Sequence, residues 1–297
     1  MPHAIPAVLP PGADPVALFE AARTAALRQK RVALGVGAGL FLAAFAISIP
    51  VGEADPRVLF DGLPDLANYM SDIAPVLSVG NFQADVAEWY WAWPRWLGLL
   101  WDTLLIALVG TTLGVLGSLC LCFAASANLV ESRAITFAAR RVAEVCRSVP
   151  ELVYALIFVY AFGIGPFAGV LAIAIHTVGA LAKLFAEVNE NVDPKPIEGL
   201  RAAGGNWFQT IRFAVLPQVL PNYASYTLLR FEINVRGAAV IGFVGAGGIG
   251  QELMFVIRQF IYSDVSALVL LIVLTVVAID LGCERLRHHL IGHEVRG

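Results

Sequence analysis

The chain has 297 residues, 58% of them hydrophobic and only 14% charged, with a formal net charge of -3. Soluble domains run at roughly 45–50% apolar and roughly 25% charged residues, so a mean hydropathy of +0.74 excludes a soluble globular domain. No basic cluster is large enough to meet a phosphate backbone, which excludes nucleic acid as a partner.

A helix needs roughly 20 mostly apolar residues to cross a bilayer, because its backbone polar groups must be satisfied within the segment. Six stretches qualify and predict an all-α polytopic membrane protein. The first, residues 32–49, is uncharged and ends at Pro50; it lies too far from the N-terminus, without a clear small-residue cleavage site, to be a signal peptide. The others are residues 97–125, 149–163, 167–186, 223–244 and 266–282, of which the fifth carries charges.

Lys and Arg in short loops mark the cytoplasmic side. Arg23, Arg28, Lys30 and Arg31 precede the first span. Arg133, Arg140, Arg141 and Arg147 separate the second from the third, and Arg285, Arg287 and Arg296 follow the sixth, which puts both termini inside. Residues 51–96 hold Arg57 and Arg95 against seven acids, so that loop faces outward. Its end, Trp89, Tyr90, Trp91, Trp93 and Trp96, reads as an aromatic belt at headgroup depth or as ordinary core. Within the loop, residues 58–73 suit an amphipathic helix on the outer surface, with Leu59, Leu63, Leu66 and Met70 near helical spacing. The expected organisation is thus residues 1–96 as inner tail, first span and acidic outer loop, 97–285 as membrane core with an inner loop at 191–222, and 286–297 as inner tail. Cys120, Cys122, Cys146 and Cys283 show neither CxxC nor metal spacing and read as small core residues.

The inner loop reads as two short helices. Pro194 and Pro196 suit a helix start, Gly204 and Gly205 its stop, and Asn206 with Gln209 forms a capping-box pattern for a second helix that Pro217 ends. Trp207, Ile211 and Val215 recur four apart, a stripe that needs a partner in its own spans or in another subunit.

The spacing of Glu198, Gly204 and Leu216-Pro217 resembles the coupling-loop motif of binding-protein-dependent ABC importer permeases, although Gly199 and Leu200 replace its usual alanines and Ala214 its common isoleucine. Downstream, residues 216–221, 231–236 and 244–250, together with Trp101-Asp102-Thr103-Leu104, look like the phosphonate-importer permease family, a resemblance covering roughly residues 101–283. That resemblance implies a type I importer fold like that of methionine permeases in the cytoplasmic membrane. It further implies a second permease copy as a homodimer, an ATPase pair using ATP and Mg²⁺, and a periplasmic or surface-tethered phosphonate-binding protein. The loop would dock on the ATPase through Glu198, Gly204, Asn206, Trp207, Ile211, Leu216 and Pro217.

Span five holds Arg230, Glu232, Asn234 and Arg236, each expensive against lipid by at least about 2.5–3.5 kcal/mol at mid-depth. With Asp102 they are candidates for an anion path, guanidinium being a forked donor to phosphorus oxygens. The competing account is a structural Glu232–Arg236 pair with Asn234 bonding between helices. Asp102 and Lys183 also read as interfacial charges, and His176 as a helix–helix hydrogen bond without an evident partner. Residues 245–250 satisfy the letter of GxGxxG, but without a βαβ context Gly245, Gly247, Gly248 and Gly250 read as a tight turn at an outer gate. With no Walker motif, nucleophile elbow or metal motif, the chain is read as a transport subunit without cofactor or catalytic residue of its own. Its cargo is expected to be phosphonate or a related phosphorus oxyanion; the alternatives are an ABC permease for another small solute, an ion-coupled carrier or a polytopic membrane enzyme.

Overall fold

The computed structural model describes residues 14–291 except 54, 76 and 79, and among these every regular element is helical. Arg296 and the first 13 residues of the expected inner tail lie outside the described residues. The chain divides into two units, residues 1–69 and 70–297.

In the first unit, α1 (Pro15–Val51) starts where the Asp14 carboxylate accepts from the Val16 amide at 3.0 Å, with proline in the first turn, where its missing N–H is no loss. At 1.5 Å per residue α1 is about 55 Å long against a hydrocarbon core of about 30 Å, so its basic N-terminal turns extend into water. None of its most apolar 18-residue window is buried, as lipid contact requires. The helix passes Pro50, where the sequence reading ended it, and closes at Gly52, whose N–H reaches the Ser48 carbonyl at 2.8 Å. Next comes the expected amphipathic helix, α2 (Pro56–Ile73), whose Leu59, Leu63, Leu66 and Met70 are exposed.

The second unit begins with α3 (Phe82–Trp89). The loop before it is pinned by Ser78, whose N–H and hydroxyl donate to Asp85 at 2.6 and 2.5 Å and hold that carboxyl below the usual carboxylate range. At the centre, α4 (Trp93–Ala125) packs on α7 (Pro166–Glu190). The buried stripe Ala107, Gly110, Thr111, Gly114 and Ser118 lets the two backbones approach, and a Cβ on Gly114 would fall 2.5 Å from Thr177. Leu105, Leu108 and Leu116 on the same helix are exposed. The aromatic stretch divides between the two readings: Trp96 is core at 1% exposure, while Trp91 and Trp93 stay exposed. Trp89 donates to Ser266 Oγ at 3.0 Å, which ties α3 to the start of α12 (Tyr262–Ile291).

The third predicted span is corrected. Residues 133–148, read as loop, form α5 (Arg133–Ser148), and α6 (Glu151–Phe162) has only 12 residues, about 18 Å, too short to cross alone. The two helices meet at 84°. Pro150 causes the break, since proline pushes the residue before it out of the helical region, and Val149 is extended at φ -84, ψ 126. On the other side α5 presses Ala143 and Arg147 backbone against Gly179 of α7, where a Cβ would lie 2.5 Å from the Ala143 carbonyl.

The inner loop contains α8 (Pro194–Ala202) and α9 (Trp207–Gln209), and here Pro217 is corrected too. Far from ending the second helix, it lies in the first turn of α10 (Leu216–Ile241), which continues from α9 through a π-turn at Thr210–Val215. The Leu216 N–H bonds to the Ile211 carbonyl, and this wider turn accommodates a ring that would clash in a regular α-helix. After a 3₁₀ turn (Gly242–Val244), a glycine turn leads to α11 (Ile249–Arg258), which the sequence reading missed. The last helix, α12, runs to Ile291, so the expected tail from 286 is helical as far as the described residues go. Among the described residues four helices qualify as spans on length and apolarity, and six if each bent pair, α5–α6 and Trp207–Val244 with α11, counts as one. Cys122 and Cys283 are buried, but Cys120 is exposed, contrary to the core reading.

A Gly179→Leu variant, whose side chain has no room beside the α5 backbone, is expected to lose about 1–3 kcal/mol and several degrees of unfolding midpoint in detergent. Gly98→Ala, at a position with nothing within 4 Å, is expected to leave the midpoint unchanged.

Candidate functional site

The inner elbow is built by side-chain caps. Asp193 accepts from the Lys195 amide at 3.1 Å to open α8, which turns Ile197 into the core and leaves Glu198 exposed. Gly204, at φ +84, closes the helix, and the Gly205 N–H returns to the Leu200 carbonyl at 2.9 Å. The capping box is present: Asn206 Oδ1 accepts from the Gln209 amide at 2.9 Å, and Gln209 Oε1 accepts from the Asn206 amide at 2.8 Å.

The predicted stripe finds its partner in this chain. Val215 is fully buried in a cluster with Cys122, Phe185, Ile197 and Tyr223, Ile211 is half-buried, and the Trp207 indole donates to the Leu129 carbonyl at 2.9 Å. Leu216 is half-buried and Pro217 exposed. The most exposed apolar side chains of the loop are Phe208, 76% exposed, and Phe213, 63% exposed. Sequence reasoning missed this pair because residues five apart share a face only where the turn is π-wide. Beneath the elbow, Tyr223 stacks on Phe185 at 3.9 Å and donates to Asn189 Oδ1 at 2.7 Å, and Asn189 donates to Ser126 at 3.0 Å, tying α10, α7 and α4 together.

Further along α10 the charges separate into two groups. Arg230 Nη2 donates to Glu151 Oε1 at 2.6 Å, and His176 Nδ1 lies 2.9 Å from the same oxygen and in contact with Arg230 Nη2. The Arg230 and Glu151 side chains are only 12% and 15% exposed. One turn on, Asn234 is fully buried and donates to Thr111 and Thr177 at 2.8 and 2.9 Å, which supports the inter-helix account of that residue. Gly237 leaves the room that Glu151 occupies, for a Cβ there would fall 2.6 Å from Oε2.

The second group faces α12. Glu232 pairs with Arg236 at 3.3 Å, as the four-residue spacing predicted, and with Arg287 at 3.3 Å, while Arg236 lies 3.7 Å from Asp280. Residues two apart on a helix point to opposite sides, so Arg230 and Glu232 do not share a wall as the sequence reading grouped them. Asp102 joins neither group: it is exposed, and its neighbour Thr103 is the buried residue of that turn. Lys183 is exposed and pairs with Glu187 at 3.4 Å. His176, for which the sequence offered no partner, has Glu151.

Gly245, Gly247 and Gly248, at φ +90, +84 and +74, make the predicted tight turn. It is held by Gly165 N–H donating to the Gly245 carbonyl at 2.9 Å and Ile249 N–H donating to Thr103 Oγ1 at 2.8 Å. Gly250 is helical and needs glycine for a different reason, since a Cβ would collide with the Ala239 carbonyl.

A family model described as "Binding-protein-dependent transport system inner membrane component" matches residues 120–291. The phosphite transport system permease protein PtxC of Stutzerimonas stutzeri is 39% identical over 239 residues, 80% of this chain and 82% of that protein. The phosphate-import permease protein PhnE of Mycolicibacterium smegmatis is 39% identical over 199 residues, 67% of this chain but 37% of that longer protein. Among solved structures, the MetNI methionine ABC transporter in an inward-facing conformation matches with a TM-score of 0.57 at 20% identity, over 66% of this chain and 95% of that one. A bacterial ABC transporter involved in the import of alginate matches with a TM-score of 0.56 at 13% identity, over 81% and 95%. Both structural matches concern the fold.

The Arg230–Glu151 geometry has a direct consequence for stability. Replacing Arg230 alone by Met strands a carboxylate in the bundle and is expected to cost about 3–5 kcal/mol, measured by unfolding in detergent. Arg230→Met combined with Glu151→Leu is expected to recover most of that loss.

Proposed function

The chain belongs to the binding-protein-dependent transport system inner membrane component family, and from that membership we propose an importer subunit whose cargo is a phosphonate or a related phosphorus oxyanion. The family consists of ABC permease subunits rather than enzymes, with ATP hydrolysis in a separate partner, so the carrier and membrane-enzyme alternatives fall away. The protein is a multi-pass membrane protein, and its fold implies an ATPase and a substrate-binding protein as partners.

The phosphorus-oxyanion reading draws support from two named relatives, a phosphite permease and a phosphate-import permease, and from a guanidinium held inside the span region. A homodimeric permease pair in the cytoplasmic membrane, with an ATPase pair using ATP and Mg²⁺ beneath it and a phosphonate-binding protein outside, completes the proposed machine. Residues 191–222 are the coupling element, presenting Glu198, Trp207 and the Phe208–Phe213 pair to the ATPase. Arg230 and Asn234 stand near the path, Glu232 and Arg236 brace α10 on α12, and Gly245 to Gly250 form a turn near the outer gate.

One observation carries the mechanism: helix continues from the capped Asn206 elbow through the π-turn and past the interior Pro221 to Arg230. Those 24 residues make a rod of about 36 Å. A stiff rod passes on a displacement that a flexible loop would absorb, so closure of the ATPase pair moves the intramembrane cation directly.

In vesicles holding permease, ATPase and binding protein, uptake of methylphosphonate, phosphite or phosphate is expected to require ATP and to survive collapse of ion gradients. Gly204→Val forces a β-branched residue to φ > 0 and is expected to uncouple, cutting uptake about tenfold while ATP hydrolysis continues; Gly204→Asn, which tolerates that backbone, is expected to stay coupled. Normal coupling in Gly204→Val would count against the rod.

A further inference from the structure

We infer that Glu151 is a resident counter-anion: it holds the station on Arg230 and His176, at the start of α6, that a phosphorus oxyanion takes during passage, and cargo and carboxylate exchange there. This rests on the cargo reading above.

Guanidinium does not lose its proton in proteins, so Arg230 needs an anion whenever it is withdrawn from water. The anion now present is held through one oxygen only. Glu151 meets Arg230 through the single oxygen Oε1, and that oxygen also serves His176, while Oε2 lies over Gly237. A two-oxygen, fork-to-fork contact is the stronger arrangement for arginine, and a tetrahedral phosphorus oxyanion has oxygens enough to make it. Thr177 adds a hydroxyl 3.5 Å from Arg230 Nε.

The surroundings favour an anion apart from Glu151. Glu151 is the first residue of α6, a 12-residue helix behind the Pro150 break. The amides of Val153 and Tyr154 are the first to find a backbone carbonyl, that of Pro150. The positive end of the helix dipole therefore lies at the backbone of the residue whose carboxylate meets the guanidinium, and interrupted membrane helices present such ends to anionic substrates. With the carboxylate swung away, an arginine and an imidazole are left facing one place, at the helix that starts at Glu151.

Exchange also answers the problem of release. A permanent tight site would halt conduction, whereas a tethered carboxylate that returns to Arg230 expels the cargo anion. The two charges ride on different helices, Glu151 just past the 84° bend and Arg230 on the rod driven by the elbow. Movement of α10 relative to α6 opens and closes the pair. A neutral solute could not take the place of the carboxylate without stranding Arg230.

The test uses the complete permease–ATPase complex with radiolabelled inorganic phosphate, phosphite and methylphosphonate. Glu151→Gln is expected to raise oxyanion binding measured without the binding protein by about tenfold, and to lower uptake turnover with it by about tenfold as release slows. Gly237→Ala, which crowds Oε2 without altering any charge, is expected to move both readouts in the same direction and guards against a folding defect in Glu151→Gln. Wild-type turnover with no gain in binding in both variants overturns the counter-anion role while leaving the cargo reading intact. If the unmodified complex takes up none of the three oxyanions, the cargo reading fails and this inference with it.

Discussion

A guanidinium that keeps its proton, lodged in a bundle of apolar helices, has to be answered by an anion, and the Arg230–Glu151 pair is that answer. Much of the nearby architecture follows from it. The carboxylate can reach Arg230 because Pro150 breaks the α5–α6 segment just before Glu151, and it fits because Gly237 carries no side chain. Around the pair, Thr111, Thr177 and Asn234 supply hydrogen bonds that hold α4, α7 and α10 in one register. Glu232 on the opposite side of the same helix fastens α10 to α12 through Arg287, so α10 is gripped on both faces by charge rather than by apolar packing alone.

The other organising element is close backbone contact. Lipid tails are as apolar as leucine, so helices in a bilayer gain little by hiding apolar surface from each other and associate instead through packing and polar bonds. The stripe from Ala107 to Ser118 on α4 and Gly179 on α7 meets that requirement, which fixes α4, α5 and α7 as a frame. Against this frame the segment from Trp207 to Val244 is one continuous helical run. Its first turns are set by two reciprocal cap bonds and the π-turn, and its far end by the glycine turn seated on Thr103 and Gly165.

The elbow was the most legible part of the site. Asn206 and Gln209 act on neighbours within one turn, so their reciprocal bonds follow from local sequence, as does the stop at Gly204. Pro217 does not end the helix because it falls in the first turn of α10, behind a π-turn that nothing in the local sequence announces. The same turn hid the Phe208–Phe213 face. His176 looked alone because its partner, Glu151, stands 25 positions away on another helix.

Composition and local pattern by themselves determined the membrane class, the long apolar helices, the acidic loop after the first span, the capped elbow and the Glu232–Arg236 pair, because each depends on residues within one or two turns of one another. Only the tertiary structure decided which charges meet. Helical geometry sends Arg230 and Glu232 to opposite sides, a proline break delivers Glu151 to one of them, and a glycine two turns along α10 leaves it room. Such contacts join residues as far apart in the chain as Glu151 and Arg230, and that distance is closed by packing, to which hydropathy and spacing are blind.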